Sequence, residues 1–153
     1  MTTAQLVQIL IADDDQDDCL MTREAFKECR IHNHLHFVHD GEELMNYLKR
    51  SPPYQDAARY PLPGLILLDL NMPRMDGREA LLAIKSDSLL RSIPVVILST
   101  SSADEDIRRS YAMGVNSFIT KPVSFSGLLE LVKQLGHYWL EVVALPTDGT
   151  RND

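Results

Sequence analysis

The chain has 153 residues, a net charge of −7 and a pI near 5.1, with 44% apolar and 24% charged residues. That is enough for one globular domain with its own core, too apolar for a disordered chain, and of the wrong sign for nucleic acid as a direct partner. No apolar run approaches the roughly 18 residues of a membrane-spanning helix, and "MTTAQLVQILIADDD" has no basic start before its short apolar stretch, so neither membrane nor secretion is expected and the cytoplasm is.

In chain order, "LVQILIA" (Leu6 to Ala12) is short, apolar and β-branched, and predicts a buried strand that stops at acids. From Gln16 to about Cys29 the apolar residues Leu20, Met21, Ala25 and Phe26 recur at helical spacing. "LHFVHD" reads as a second strand ending at Asp40-Gly41, ahead of the helix "EELMNYLKR". "SPPYQDAARYPLPG" carries four prolines and must be a loop, unusually long for a compact domain, where such loops are often functional. "LILLD" is the third strand, followed by a turn and a helix from about Arg78 to Ser86. "IPVVILS" is the fourth, and "ADEDIRRSYAMG" a helix entered through acids and closed by Gly114. "NSFIT" is a short fifth strand, and a last helix runs from about Ser126 towards Val143. Cys19 and Cys29 match no disulfide or zinc pattern and are expected as free, wholly or partly buried thiols.

Strands that alternate with helices and are apolar throughout imply a parallel sheet covered on both faces. In such sheets the working site lies at the carboxyl ends of the strands. Those ends carry Asp13, Asp14 and Asp15, then Asp69, then Ser99 and Thr100, then Lys121. If Asp13, Asp14 and Asp69 converge, each pair 4 Å apart costs about 4 kcal/mol at an effective dielectric of 20, so the site needs a cation. A magnesium ion held by carboxylates, a backbone carbonyl such as that of Asn71, and waters leaves room for phosphate oxygens. Asp69 then becomes a nucleophile for a phosphoryl group, with Lys121 neutralising the oxygens from the other side and Ser99 offering a hydroxyl. Alone, each residue has a plain structural explanation: a helix-terminal acid, a turn cap, a strand-end hydroxyl, a surface lysine. All four kinds at consecutive strand ends point to phosphoryl chemistry.

These residues resemble a response-regulator receiver domain over roughly Gln5 to His137. "ILIADDD" is similar to the first strand of that family with its acid pair, which implies Asp13 and Asp14 as metal-binding acids, Asp14 the direct ligand. "LLDLNMPRMDG" resembles the phosphoacceptor strand and turn, which implies Asp69 as the phosphorylation site and Asn71 as the carbonyl ligand. "VVILSTSS" and "FITKP" imply Ser99 and Phe118 as the switch pair and Lys121 as the phosphate-binding lysine, with a cis bond expected at Lys121-Pro122. The resemblance implies a flavodoxin-like (βα)5 doubly wound α/β fold, strand order 2-1-3-4-5, as one domain over 5–145 with an extended C-terminal helix and a flexible tail over 146–153. Mg2+, or Mn2+ in its place, is the implied cofactor. The chain is expected to catalyse only its own phosphorylation and dephosphorylation. Thr100 beside the switch hydroxyl departs from the small residues frequent there and is expected to slow attacking water.

The proline-rich loop and the end "HYWLEVVALP" are similar to those of the single-domain regulators paired with bacterial and cyanobacterial phytochrome histidine kinases. A histidine kinase of that type is thus the implied partner, and output is expected through contact with a further, unknown protein. Leu128, Leu131, Val132 and Leu135 face the core, whereas Tyr138, Trp139, Val142 and Val143 continue the apolar pattern past it and predict a homodimer interface, with a break possible at Gly136. No role is assigned to His32, His34, His36 and His39. A phosphatase of the haloacid dehalogenase type would want a carboxylate where Asn71 stands, a flavin carrier would want a phosphate loop where Asp13 to Asp15 stand, and an unphosphorylated receiver-like module would not need the full acid, hydroxyl and lysine set.

Overall fold

The computed structural model describes residues 7–100 and 103–142, without the side chains of 140–142. Strands β1 (Ile9–Ala12), β2 (Leu35–Val38), β3 (Leu65–Leu68), β4 (Val95–Ser99) and β5 (Ser117–Thr120) form one sheet in the order β2-β1-β3-β4-β5. Every neighbouring pair is parallel. Helices α1 (Gln16–Glu28), α2 (Gly41–Leu48), α3 (Gly77–Ser86) and α4 (Asp104–Ala112) connect successive strands, and α5 (Phe125–Leu135) follows β5. The expected flavodoxin-like order is the one observed.

Alternation along each strand explains why the strands are apolar throughout. Leu10, Ala12, Ile66, Leu68, Val95 and Ile97 point to one face, where they meet Leu44, Met45 and Leu48 of α2 and Ala80, Leu81 and Ile84 of α3. Ile9, Ile11, Leu65, Leu67 and Val96 point to the other, against Ala25 and Phe26 of α1 and Leu128, Val132 and Leu135 of α5. A fully buried large side chain contributes about 1.5–3 kcal/mol, so β1, β3 and β4, filled on both sides, are held by both halves of the core. The site at their ends is built on that platform.

Local chemistry ends the helices where the sequence suggests. Asp15 accepts hydrogen bonds from the N–H groups of Asp17 and Asp18 and caps α1, Asp40 caps α2, Asp76 and Glu79 form a capping box on α3, and Ser124 caps α5. Asp15 is therefore occupied as a cap, which separates it from the two acids before it. Helix α4 has no side-chain cap among the described residues, and Ser110 is its one buried residue, so it is the helix that buries least.

Several expectations change. Leu20 and Met21 are exposed, at 61% and 39%, and the inward stripe of α1 is Cys19, Thr22, Ala25 and Phe26. The proline-rich loop folds back on α2: Tyr54 and Tyr60 pack on each other and on Tyr47 with ring centroids 4.9–5.8 Å apart, and the Tyr47 hydroxyl donates to the Pro61 carbonyl at 2.9 Å. Lys121-Pro122 is not cis; among the described residues the cis bond is Pro52-Pro53. Trans is the lower-energy isomer even before proline, and here it is compatible with the Lys121 N–H donating to the Ser99 carbonyl at 2.7 Å.

Beyond α5 the chain continues as a π-helix, Gly136–Val142. The change begins at Gly136, where a Cβ would overlap the Ile31 side chain. Trp139 lies inward, 7% exposed among the residues of the α1–α5 face, on the same stripe as Leu128, Val132 and Leu135. Trp139 is thus a core residue and not part of an outward interface, a correction to the dimer surface expected from the sequence. Tyr138 beside it stays 53% exposed, and Val142 as a side chain and Val143 altogether lie outside the described residues.

Candidate functional site

Sheet register brings the predicted residues together. Ala12 pairs with Leu68, so Asp13 and Asp69 leave their strands side by side, and the Asp69 N–H donates to the Ala12 carbonyl at 3.0 Å. Ser99 pairs with Thr120, which sets Lys121 just past the hydroxyl-bearing strand. Carboxylate oxygens of Asp13, Asp14 and Asp69 all lie within 4.8 Å of one another, the first and last buried and Asp14 exposed. Among the described residues this is the group of acids, thiols or imidazoles close enough to share an ion. Hard oxygen donors in that number suit a hard divalent cation, and the one exposed member keeps the site open to solvent and ligand.

Lys121 reaches into this group. Its Nζ donates to Asp13 Oδ2 at 2.8 Å, Asp18 Oδ2 at 3.0 Å and Asp69 Oδ2 at 3.1 Å. Burial acts to lower the lysine pKa, but Asp13, Asp69 and Asp18 outweigh it and hold the ammonium above its ordinary range. Burial pushes the Asp13 carboxyl above its ordinary value, against the bonds it accepts from Lys121 and the Asp15 N–H. The remaining oxygen of Asp69 accepts from the Asn71 N–H at 3.1 Å, leaving Asn71 exposed in the turn. Ser99 is fully buried and Thr100 exposed. Phe118, half-buried, packs against the α2–α3 side of the core and donates its N–H to the Tyr111 hydroxyl at 3.1 Å.

The sequence reading missed three supports. Asp18 reads as an ordinary acid in the first turn of a helix, and only the fold shows it against Lys121. Beneath the site, the Asp13 carbonyl has the Cys19 thiol at 3.5 Å and His39 Nδ1 at 3.1 Å. Burial first, then the charge of Asp13, pushes the Cys19 thiol up to about 12, so it stays a protonated donor. His39, to which the sequence assigns no role, props the backbone of one acid of the trio.

The third support is a clamp on the turn after Asp69. Arg74 sits at φ 65° and donates from Nε and Nη2 to Asp40 Oδ2 at 2.8 and 2.6 Å. The Gly41 N–H donates to the Met75 carbonyl at 2.8 Å, so close that a Cβ on Gly41 would overlap it; Gly77 lies equally close to the Asp69 carbonyl. Burial raises the Asp40 pKa, but the Glu43 N–H and Arg74 outweigh it, and the folded value lies below the ordinary 3.8. Asp40→Ala is expected to lose about 1 kcal/mol through the α2 cap alone. The sign follows from the lowered pKa: the stabilisation is present above 3.8 and is lost as pH falls through the folded value. Urea denaturation of both proteins should therefore show a gap that is full at pH 7 and closes in acid; a gap independent of pH would contradict this.

With a five-stranded 2-1-3-4-5 sheet and an acid trio, a buried hydroxyl and a lysine at its carboxyl edge, the chain belongs to the response regulator receiver domain family, whose model matches residues 9–133. It is 38% identical to "Response regulator Rcp1" of Synechocystis sp. over 138 residues, 90% of this chain and 92% of that one. Among solved structures it is similar to the phosphorylated cyanobacterial phytochrome response regulator RcpA, at 40% identity and TM-score 0.87, covering 94% of this chain and 100% of that one. The Mn(2+)-bound form of Rcp1 matches at 38% identity and TM-score 0.84, covering 92% and 99%. Among the described residues no helix is long and apolar enough to cross a membrane.

Proposed function

We propose that this chain is a cytoplasmic response regulator that accepts a phosphoryl group on Asp69 from the phosphohistidine of a phytochrome-type histidine kinase. The observation that carries the reading is Lys121 Nζ bonded to Asp69 Oδ2 within an acid trio fit for a divalent ion. An Asp69 carboxylate oxygen attacks phosphorus, the new O–P bond forms as the P–N bond to the donor imidazole breaks, and the imidazole nitrogen keeps the electron pair and takes a proton. Mg2+, or Mn2+, held by Asp13, Asp14, Asp69 and the Asn71 carbonyl, supplies charge neutralisation at the phosphoryl oxygens when bound. Lys121 holds another of those oxygens and Ser99 meets a third. Attack by water then breaks the Asp69–phosphorus bond, restores the carboxylate and releases inorganic phosphate. The chain acts on no separate substrate, so it is a switch and not an enzyme in the ordinary sense.

Readout runs through Ser99 and Phe118 to α4, which buries only Ser110 and is held to α3 by Arg78, whose Nε and Nη2 donate to Asp106 at 3.1 and 2.9 Å. Moving such a switch from 1:99 to 99:1 takes about 5.5 kcal/mol of preference for the active packing. Output is contact with a downstream protein, and the exposed Tyr138 supports a homodimer. The kinase assignment rests on the likeness to RcpA, a phytochrome response regulator. Incubation with a phytochrome-type kinase, ATP and magnesium should give a shifted band on a phosphate-affinity gel, absent with EDTA. A shift with acetyl phosphate but never with such a kinase would overturn the partner. Sedimentation showing a monomer at every concentration would overturn the dimer.

A further inference from the structure

The ammonium group of Lys121 has three N–H donors, and all three are engaged, with Asp13, Asp18 and Asp69. Two of those partners are also members of the acid trio, so a metal ion and a phosphoryl group draw on the same oxygens that hold the lysine at rest. Asp18 is different. It lies outside the trio, on the first turn of α1, and its side chain is 27% exposed where those of Asp13 and Asp69 are 8–10% exposed. The α1 backbone fixes it, with its N–H donating to the Asp15 cap at 3.1 Å. When the other two partners are drawn elsewhere, the Asp18 bond is the one that nothing competes for.

A lysine side chain has four flexible carbons and a point charge, so its ammonium needs fixed partners to stay in one place. We propose that Asp18 is a positioning residue for phosphoryl transfer, the standing anchor about which Lys121 swings from the Asp13 and Asp69 carboxylates to the phosphoryl oxygens. The inference deepens the proposed function and rests on it. Asp18 is not one of the trio, and in this proposal it acts only through the lysine. A charged acceptor holds an ammonium roughly twice as strongly as a neutral one, which ranks the substitutions: Asn keeps an acceptor, Ala keeps none.

The test is the rate at which the full chain takes a phosphoryl group from acetyl phosphate at saturating magnesium, acetate leaving with the electron pair of the broken P–O bond. Asp18→Asn should react more slowly than wild type and Asp18→Ala more slowly still, by about tenfold, the scale of a modest misplacement of a reacting group. Asp18→Glu should recover most of the rate. Magnesium affinity and melting temperature should stay near wild type, and Asp18→Ala should add no further loss in a Lys121→Met background, which a merely structural role would not produce. Asp18→Asn and Asp18→Ala reacting equally, at the wild-type rate or faster, would overturn the anchor and make Asp18 a charge that only repels the donor. A wild-type chain that takes no phosphoryl group would remove the proposed function and the anchor together, whereas a reactive wild type with indifferent Asp18 variants removes the anchor alone.

Discussion

Asp69→Asn is expected to lose phosphoryl acceptance altogether, a fall of more than about a thousand-fold, because removing a nucleophile leaves only binding and neutralisation behind. The fold should survive it. Asn has one acceptor oxygen where Asp69 uses two, so it keeps the bond from the Asn71 N–H or the one from Lys121 but not both, and in exchange the substitution removes one of two buried acids that face each other across β1 and β3. Without metal the variant should therefore melt at or above the wild-type temperature while showing no shifted band on a phosphate-affinity gel. A shifted band in Asp69→Asn would mean that another acid is the acceptor.

Lys121→Met is expected to act on both stability and chemistry. It strips the cation from three carboxylates at once, two of them buried. Breaking such a pairing leaves uncompensated charge, and with the rim partly open to water the loss should be about 1–3 kcal/mol, not the full cost of a dry interior. Asp13, whose carboxyl burial already pushes upward, would then protonate more readily, so the deficit should shrink as pH falls. A divalent ion should shrink it too, since the metal and the lysine neutralise the same oxygens. Phosphoryl acceptance should fall by about a hundred-fold even with metal present, the usual loss for one preorganised electrostatic group. Melting curves with and without magnesium, beside rates with acetyl phosphate, check both halves. An unchanged rate would show that Lys121 serves the resting structure alone.

Much of the site was legible because a doubly covered parallel sheet leaves few places for polar groups. The apolar runs "LILL" and "VVIL" mark buried strands, and whatever stands at their ends, Asp69 and Ser99, is brought into line with Asp13 and Lys121 by the sheet itself. What stayed hidden depends on contacts between distant segments. Asp18 carries the same signal as any acid at a helix start, and its bond to Lys121 spans 103 residues. Arg74 and Asp40 are 34 residues apart, and neither "DG" nor "NMPRMDG" says that the two turns meet. The α1 stripe was misread because Cys19 and Thr22 count as weak apolar residues, yet both point inward while Leu20 faces solvent. Trp139 continues the stripe of Leu128, Val132 and Leu135, and what the sequence does not show is that the core between α1 and α5 reaches far enough to cover it.

The most direct measurement is to map the acyl phosphate itself. The chain is incubated with acetyl phosphate and magnesium, reduced with borohydride so that a phosphorylated aspartate becomes homoserine, digested and sequenced by tandem mass spectrometry. The expected result is homoserine at position 69, formed with magnesium and absent with EDTA. Homoserine at position 13, 14 or 18, or at position 69 regardless of metal, would contradict the assignment of Asp69 as a metal-dependent phosphoacceptor.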